Sequence, residues 1–248
     1  MEVGFKTDRG LRRSNNEDAC YVLKRDKVFI VADGVGGNNS GELASKTCVD
    51  EIAKYVEQHD LHQMQDEWEI QAYFERCITD VNFKVLELSQ RHEENRGMAT
   101  TVVTAYLHDG TLYIVNVGDS RAYILRNDVL TQITEDHTYV NSLVKAGLIT
   151  AEEAECHENR NMITRAVGAD HRVEADFFAV PVMTGDRILI CTDGLHGEVG
   201  IIEMTAIMKK NETMTNICEE LLEAAKASGG NDNVTMVVVE VTEEDIDE

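Results

Sequence analysis

One proline, Pro181, is all the chain has in 248 residues, and no Gly/Ser-rich or low-complexity tract interrupts it. No linker is therefore legible, and no repeat of 20–50 residues occurs; the simplest reading is a single domain over 1–242 with an acidic tail at 243–248. No apolar run approaches the roughly 20 residues of a membrane helix, and "MEVGFKTDRGLRR" has no apolar core of a signal peptide. A cytoplasmic protein without membrane partners is expected. The six cysteines have no CxxC spacing, which argues against zinc clusters and disulfide frameworks and for small buried apolar residues. Basic residues are scarce, 23 Lys and Arg against 46 Asp and Glu, for a net charge of −23. Such a surface repels nucleic acid. Also missing are a P-loop, a G-x-S-x-G elbow and HExxH, and "GVGGNN" lacks the third glycine of a dinucleotide fingerprint.

What is present is β-rich. "TTVVTAYL", "TLYIVNVG", "RAYILR" and "VLTQIT" are separated by "HDG", "DS" and "ND", the chemistry of tight turns. Consecutive hairpins imply antiparallel pairing and exclude a doubly wound sheet. Further strands are expected at 3–8, 19–24, 27–32, 175–180, 186–192 and 234–241. About ten strands exceed what one twisted sheet usually carries, so two stacked sheets are expected. Helical spacing marks Ala44, Cys48, Ile52 and Val56, capped by Asn39 or Ser40. It marks Ile70, Phe74, Cys77, Val81, Val85 and Leu88, and again Ile217, Cys218, Leu221, Leu222 and Ala225, stopped by Gly229 and Gly230. One-faced helices must cover the sheets. Residues 138–168 are polar, with a capping box at Thr150–Glu153, and read as a surface flap between strands. The tail, six acids in nine residues, reads as a solvated, frayed end.

The chemistry lies at the strand ends. "FIVADGVGG" runs from apolar residues straight into Asp33, and "RILICTDGL" does the same at Asp193. Asp119 follows Gly118 in "VNVGDSRAY", Asp232 precedes a strand in "GGNDNVT", and Glu17 and Asp18 precede another in "RRSNNED". Singly, each is an ordinary turn residue. Together, acids that meet at one sandwich edge repel unless a cation lies among them. Few basic residues are near, Arg13 and Arg121 excepted, so a bound metal is the natural compensation. An all-oxygen ligand set suits Mg²⁺, Mn²⁺ or Ca²⁺, and the absent EF-hand pattern disfavours Ca²⁺. Gly34, lacking Cβ, leaves its carbonyl free to turn onto an ion. Two such ions sharing a carboxylate can activate a water and clamp a phosphate, and Arg13 is placed to grip phosphate oxygens.

In this order "RSNNED", "VADGVGG", "ATTVV", "VNVGDSRAY", "ITRAVG", "CTDGL" and "GGNDNVT" resemble the motifs of the metal-dependent protein serine/threonine phosphatases, the PPM or type 2C family, in its bacterial form. The likeness spans residues 4–240. It implies an α+β fold, a four-layer α-β-β-α sandwich of two mainly antiparallel sheets flanked by helices. By motif, Asp33 would bridge two Mn²⁺ or Mg²⁺ ions. The Gly34 carbonyl and waters held by Glu17 and Asp18 would complete one, and Asp193 and Asp232 would hold the other. A third, weaker ion would use Asp119 and Asp193. Arg13 would take the phosphate, and a metal-bridging hydroxide would attack phosphorus directly. The resemblance implies phosphorylated proteins as partners, a cognate serine/threonine kinase among them, and a monomer is expected. A phosphoprotein-binding module without catalysis and a small-molecule phosphatase are the alternative readings. The sequence departs from the pattern at Val35, where many members have a histidine proposed as general acid; His157 in the flap is a weak substitute. Ala99 and "LHGEV" are further departures.

Overall fold

The structure, a computed structural model, describes residues 1–37 and 40–246. In chain order it forms β1 (Glu2–Asp8), β2 (Asp18–Leu23), β3 (Val28–Val35), α1 (Ser40–Gln58), α2 (Glu67–Arg91), β4 (Ala99–Thr100), β5 (Val102–His108), β6 (Thr111–Val117), β7 (Arg121–Arg126) and β8 (Val129–Gln132). Then follow α3 (Tyr139–Lys145), α4 (Ala151–Glu155), β9 (Asp176–Pro181), β10 (Arg187–Cys191), α5 (Asp193–His196), α6 (Ile201–Met208), α7 (Met214–Ser228) and β11 (Val234–Glu240). Among the described residues no helix is long and apolar enough to cross a membrane.

The strands form two sheets, ordered β1-β11-β10-β7-β8 and β2-β3-β5-β6-β9, with β4 paired to β3. Every named pair is antiparallel. Period-two alternation sends successive side chains into different cores. Along β3, Val28, Ile30 and Ala32 pack toward α1 and α2, whereas Phe29 and Val31 enter the space between the sheets. Along β11, Met236 and Val238 meet α6 and α7, while Val237 and Val239 face the other sheet. Three apolar cores separate four layers, in the order helix, sheet, sheet, helix. Strands covered on both faces explain why these runs are apolar throughout.

The helices follow the expected spacing. Asp66 caps α2 by accepting the Glu69 N–H at 2.8 Å, and Thr213 caps α7 by accepting that of Asn216 at 3.2 Å. Gly229 and Gly230, with φ of 147° and 56°, end α7 in backbone that glycine tolerates. Ser40 is the first residue of α1, and Asn39 lies outside the described residues. The Thr150–Glu153 capping box opens α4. Cys48, Cys77, Cys191 and Cys218 are buried thiols, Cys20 is half-buried and Cys156 exposed; none is in a disulfide.

Three expectations need correction, and two helices were not expected. The strand ending at Ala32 runs on to Val35, so Asp33 sits inside β3. β6 and β7 are not a hairpin: β6 pairs with β5 and β9, β7 with β8 and β10. Gly118, at φ 107°, instead turns the chain from one sheet into the other and leaves Asp119 at the crossing. The one-turn α5 and the α6 helix were not legible, α6 because eight residues give too little periodicity. The acidic tail is not frayed at Asp245, which is 2% exposed and accepts an ion pair from the Met1 ammonium at 3.2 Å; residues 247–248 lie outside the described residues.

Candidate active site

Asp18 and Asp33 are register partners across β2 and β3, so both side chains stand on one face of the sheet. Asp119 lies at the sheet crossing, Asp193 opens α5 directly after β10, and Asp232 precedes β11. The two sheets thus bring five carboxylates from five separate segments to one edge. Each of Asp18, Asp119 and Asp193 repels the Asp33 carboxylate, as does Asp232.

Burial and this crowding set the protonation. Asp18 is pushed up to about 8, first by burial and then by repulsion from Asp193 and Asp232, against hydrogen bonds from Thr192 and Thr235. Asp119 rises to about 7 through burial and the fields of Asp193 and Asp136. Asp33 is held well above the carboxylate range by the same two causes. Asp193 is raised by burial and by Asp232, with the neighbouring Asp33 carboxyl and Arg13 acting in the opposite direction.

Backbone and side-chain contacts fix the acids. Thr192 Oγ1 donates to Asp18 Oδ2 at 2.8 Å. Thr101 Oγ1 accepts the Asp33 N–H at 3.0 Å and lies 2.7 Å from Ser120 Oγ, beside Asp119. Asn233 Oδ1 accepts the Glu17 N–H at 2.8 Å, and Asn233 Nδ2 donates to the carbonyls of Arg9 and Asn15 at 2.9 Å. His196 Nε2 donates to the Asp119 carbonyl at 3.0 Å; burial first holds its pKa down to about 3, so the ring is neutral. Sequence reasoning missed the roles of Thr101, Thr192, Asn233 and His196. "ATTVV", "CTDGL", "LHGEV" and "NDNVT" contain these residues, but their bonds join segments far apart in the chain.

Arg13 is not a free phosphate grip. Its guanidinium donates to Asp232 Oδ2 at 2.7 Å and stays half-exposed at the rim. Burial opposes its charge, but the Asp232 bond and the fields of Asp33 and Glu17 outweigh this and raise its pKa. Gly34 has a packing reason beyond its carbonyl: a Cβ there would lie 2.0 Å from the Gly41 carbonyl oxygen of α1 and 2.7 Å from that of Glu17. The Glu17 carboxylate in turn abuts Gly41, where a Cβ would lie 2.9 Å from Oε1. All eight expected residues therefore meet in one basin. Val35, at the end of β3, has no proton to donate. His157 accepts the Asn159 N–H on Nδ1 at 3.0 Å and is not among the residues lining the groove beside the basin.

That groove has a volume of about 950 Å³. Asp119, Asp193 and Asp232 open onto one part of it, and Val140, Val144 and Ala154 of α3 and α4 line another. Among the described residues no three His, Cys, Asp or Glu close around a point as a finished metal cage. The donor set nonetheless fits hard divalent cations. It is all oxygen, Asp18 Oδ1 and Asp193 Oδ1 are buried without any hydrogen-bond partner, and among the described residues Arg13, paired with Asp232, and Arg121, whose field reaches Asp119, are few cations for five crowded carboxyls. Mg²⁺ and Mn²⁺ keep waters in their shells and need no closed protein cage.

This architecture and this oxygen basin define a metal-dependent hydrolase, and the family is recognisable by sequence. The sequence model of protein phosphatase 2C matches residues 10–237, and the chain belongs to that family and is a phosphatase. Among its relatives, the serine/threonine phosphatase stp of Listeria innocua is 37% identical over 97% of this chain and 96% of its own. Protein phosphatase PhpP of Streptococcus pneumoniae is 34% identical over 99% of both. The serine/threonine phosphatase of S. agalactiae superposes with a TM-score of 0.91 at 32% identity, covering 97% of this chain and 99% of that one. The catalytic domain of PstP, solved with two manganese ions, superposes at 0.85 with 33% identity, covering 97% and 98%.

Proposed function

We propose that the chain hydrolyses phosphoserine and phosphothreonine in proteins, with Asp33 at the centre of a two-ion Mn²⁺ or Mg²⁺ site. The observation that carries this is the convergence of five carboxylates from separate segments beside Arg13. Asp33 would touch both ions. The Gly34 carbonyl, with Glu17 and Asp18 acting through water, would complete one shell. Asp193 and Asp232 would complete the other, and Asp119 with Asp193 would offer a weaker third place. When bound, such ions polarise phosphoryl oxygens and make water a nucleophile at neutral pH.

The chain's own residues do the rest. Arg13, exposed beyond its Asp232 bond, presents guanidinium N–H groups to two phosphate oxygens at once. Thr192 and Asn233 hold the Asp18 and Glu17 segments still. The groove continues from the acids under α3 and α4, space that a phosphorylated side chain with flanking peptide fills and a lone sugar phosphate does not. Glu155 and Glu198 on its walls have no cationic partner among the described residues, which favours basic flanks in the peptide. The reaction consumes the product of a protein serine/threonine kinase, which we take as its partner. We place this single domain, 1–242, in the cytoplasm as a monomer.

The test is initial-rate hydrolysis of a phosphothreonine peptide with Mn²⁺ and with excess chelator. Turnover should require the metal, fall on the order of 100-fold or more in Asp193→Asn, and exceed turnover of sugar phosphates. Equal rates with chelator sink the reading, and metal binding without turnover would favour a phosphoprotein-binding module instead.

A further inference from the structure

One residue outside the basin occupies both backbone polar groups of Gly118, the residue that leads into Asp119. His137, between β8 and α3, is 6% exposed. Its N–H donates to the Gly118 carbonyl at 2.9 Å, and its Nδ1 accepts the Gly118 N–H at 3.0 Å. Because Nδ1 accepts, the ring proton is on Nε2, which faces Asp176 Oδ2 at 3.2 Å. Arg165 Nη1 donates to the other oxygen of Asp176 at 2.8 Å, so the carboxylate orients ring and guanidinium together. Burial, reinforced by Arg165 and Lys145 and opposed by Asp176, lowers the His137 pKa and keeps the ring neutral.

The same residue closes the neck of the 138–168 excursion. Its carbonyl accepts the Thr164 N–H at 2.7 Å, Thr138 bridges to Ile163, and the Tyr139 N–H donates to the Met162 carbonyl at 2.8 Å. The outgoing and returning chains are thus joined at His137. On the other side, Gly118 has no slack: a Cβ would lie 2.6 Å from Thr101 Cβ, and its φ is 107°. Any shift of the neck must move Gly118, and with it Asp119.

We infer that His137 is a positioning residue that ties the neck of the excursion to the peptide bearing Asp119, so that contacts made by α3 and α4 are felt at that carboxylate. This rests on reading Asp119 as part of the catalytic basin. The coupling itself is a property of the protein with or without turnover.

Three variants separate the roles of the ring nitrogens. His137→Asn keeps an acceptor near the place of Nδ1, His137→Gln keeps a donor near the place of Nε2, and His137→Ala keeps neither. Amide hydrogen exchange of residues 116–121, measured without added metal, reads the clamp directly. Exchange at Gly118 should quicken about 10-fold in the Ala and Gln variants and stay near wild type in Asn. With saturating Mn²⁺, kcat on a phosphothreonine peptide and on p-nitrophenyl phosphate should follow the same order, with KM changing less than about 3-fold. A role in packing alone predicts the reverse, with Gln, the larger side chain, the better substitute. Wild-type-like exchange at Gly118 in His137→Ala, or a Gln variant that outperforms Asn, overturns the inference. Should the Ala variant fail to fold, the Asn and Gln pair still decides. Should the wild type prove inactive, the proposed function falls while the exchange data still judge the clamp.

Discussion

Asp18 and Asp33 stand directly opposite each other across β2 and β3, two acids at a cross-strand position where like charges are destabilising. The fold places them there, two of the five carboxylates of the basin, at a cost in stability. That arrangement makes sense for a site that binds divalent cations, and it leads to measurable consequences.

The first consequence is a pH dependence that metal should erase. The folded-state pKa is about 8 for Asp18 and about 7 for Asp119. An unfolded aspartate titrates near about 3.9. Raised carboxyl pKa values favour the fold while protonated, so this stability is fully present below about pH 4 and is lost as pH rises through 7 to 8. In chelator, Tm should fall between about pH 5 and pH 8.5, and saturating Mn²⁺ should flatten or reverse the fall. A Tm in chelator that does not change over this range contradicts the crowding argument.

Thr192→Val keeps the shape and removes the hydroxyl that donates to Asp18 and accepts the Thr235 N–H at 3.0 Å. A cost of about 1–3 kcal/mol in stability is expected from the unpaired buried groups. Mn²⁺ affinity should weaken about 10-fold or more, because outer hydrogen bonds orient ligands. Calorimetric titration of the variant checks both the loss and its direction.

The strands, the helix faces and the acids themselves were legible in the sequence, because period-two and helical spacing report burial locally. Sheet membership was not. The "DS" between β6 and β7 has hairpin chemistry, yet the chain crosses there between sheets, a choice made by partners such as β9 and β10 that lie over fifty residues away. Nor could sequence place Thr192, Asn233 or His137, whose bonds to Asp18, Glu17 and Gly118 follow no period. Arg13 was visible as a cation, but its bond to Asp232 was not.

Arg13→Ala should therefore act on substrate more than on the fold. The pair with Asp232 is partly solvent-exposed, so its loss should change stability by less than about 1 kcal/mol. KM for a phosphothreonine peptide should rise about 10-fold, with a smaller change in kcat. A drop confined to kcat would place Arg13 at the leaving group instead.

Gly34 in β3 and Gly37 just beyond it should respond differently to one methyl group. At Gly34 a Cβ would overlap the Gly41 carbonyl oxygen at 2.0 Å, whereas at Gly37 nothing lies within 4 Å. Gly34→Ala must push α1 off β3, costing roughly 1–3 kcal/mol or more and most of the activity. Gly37→Ala should unfold at the wild-type temperature, as thermal melts of the two variants will show.

The most direct test is anomalous diffraction at the manganese edge from crystals grown with Mn²⁺. Two peaks should lie in the basin, with the Asp33 carboxylate touching both and Asp193 and Asp232 sharing one of them. A basin without a peak, or manganese bound away from Asp33, would contradict the account.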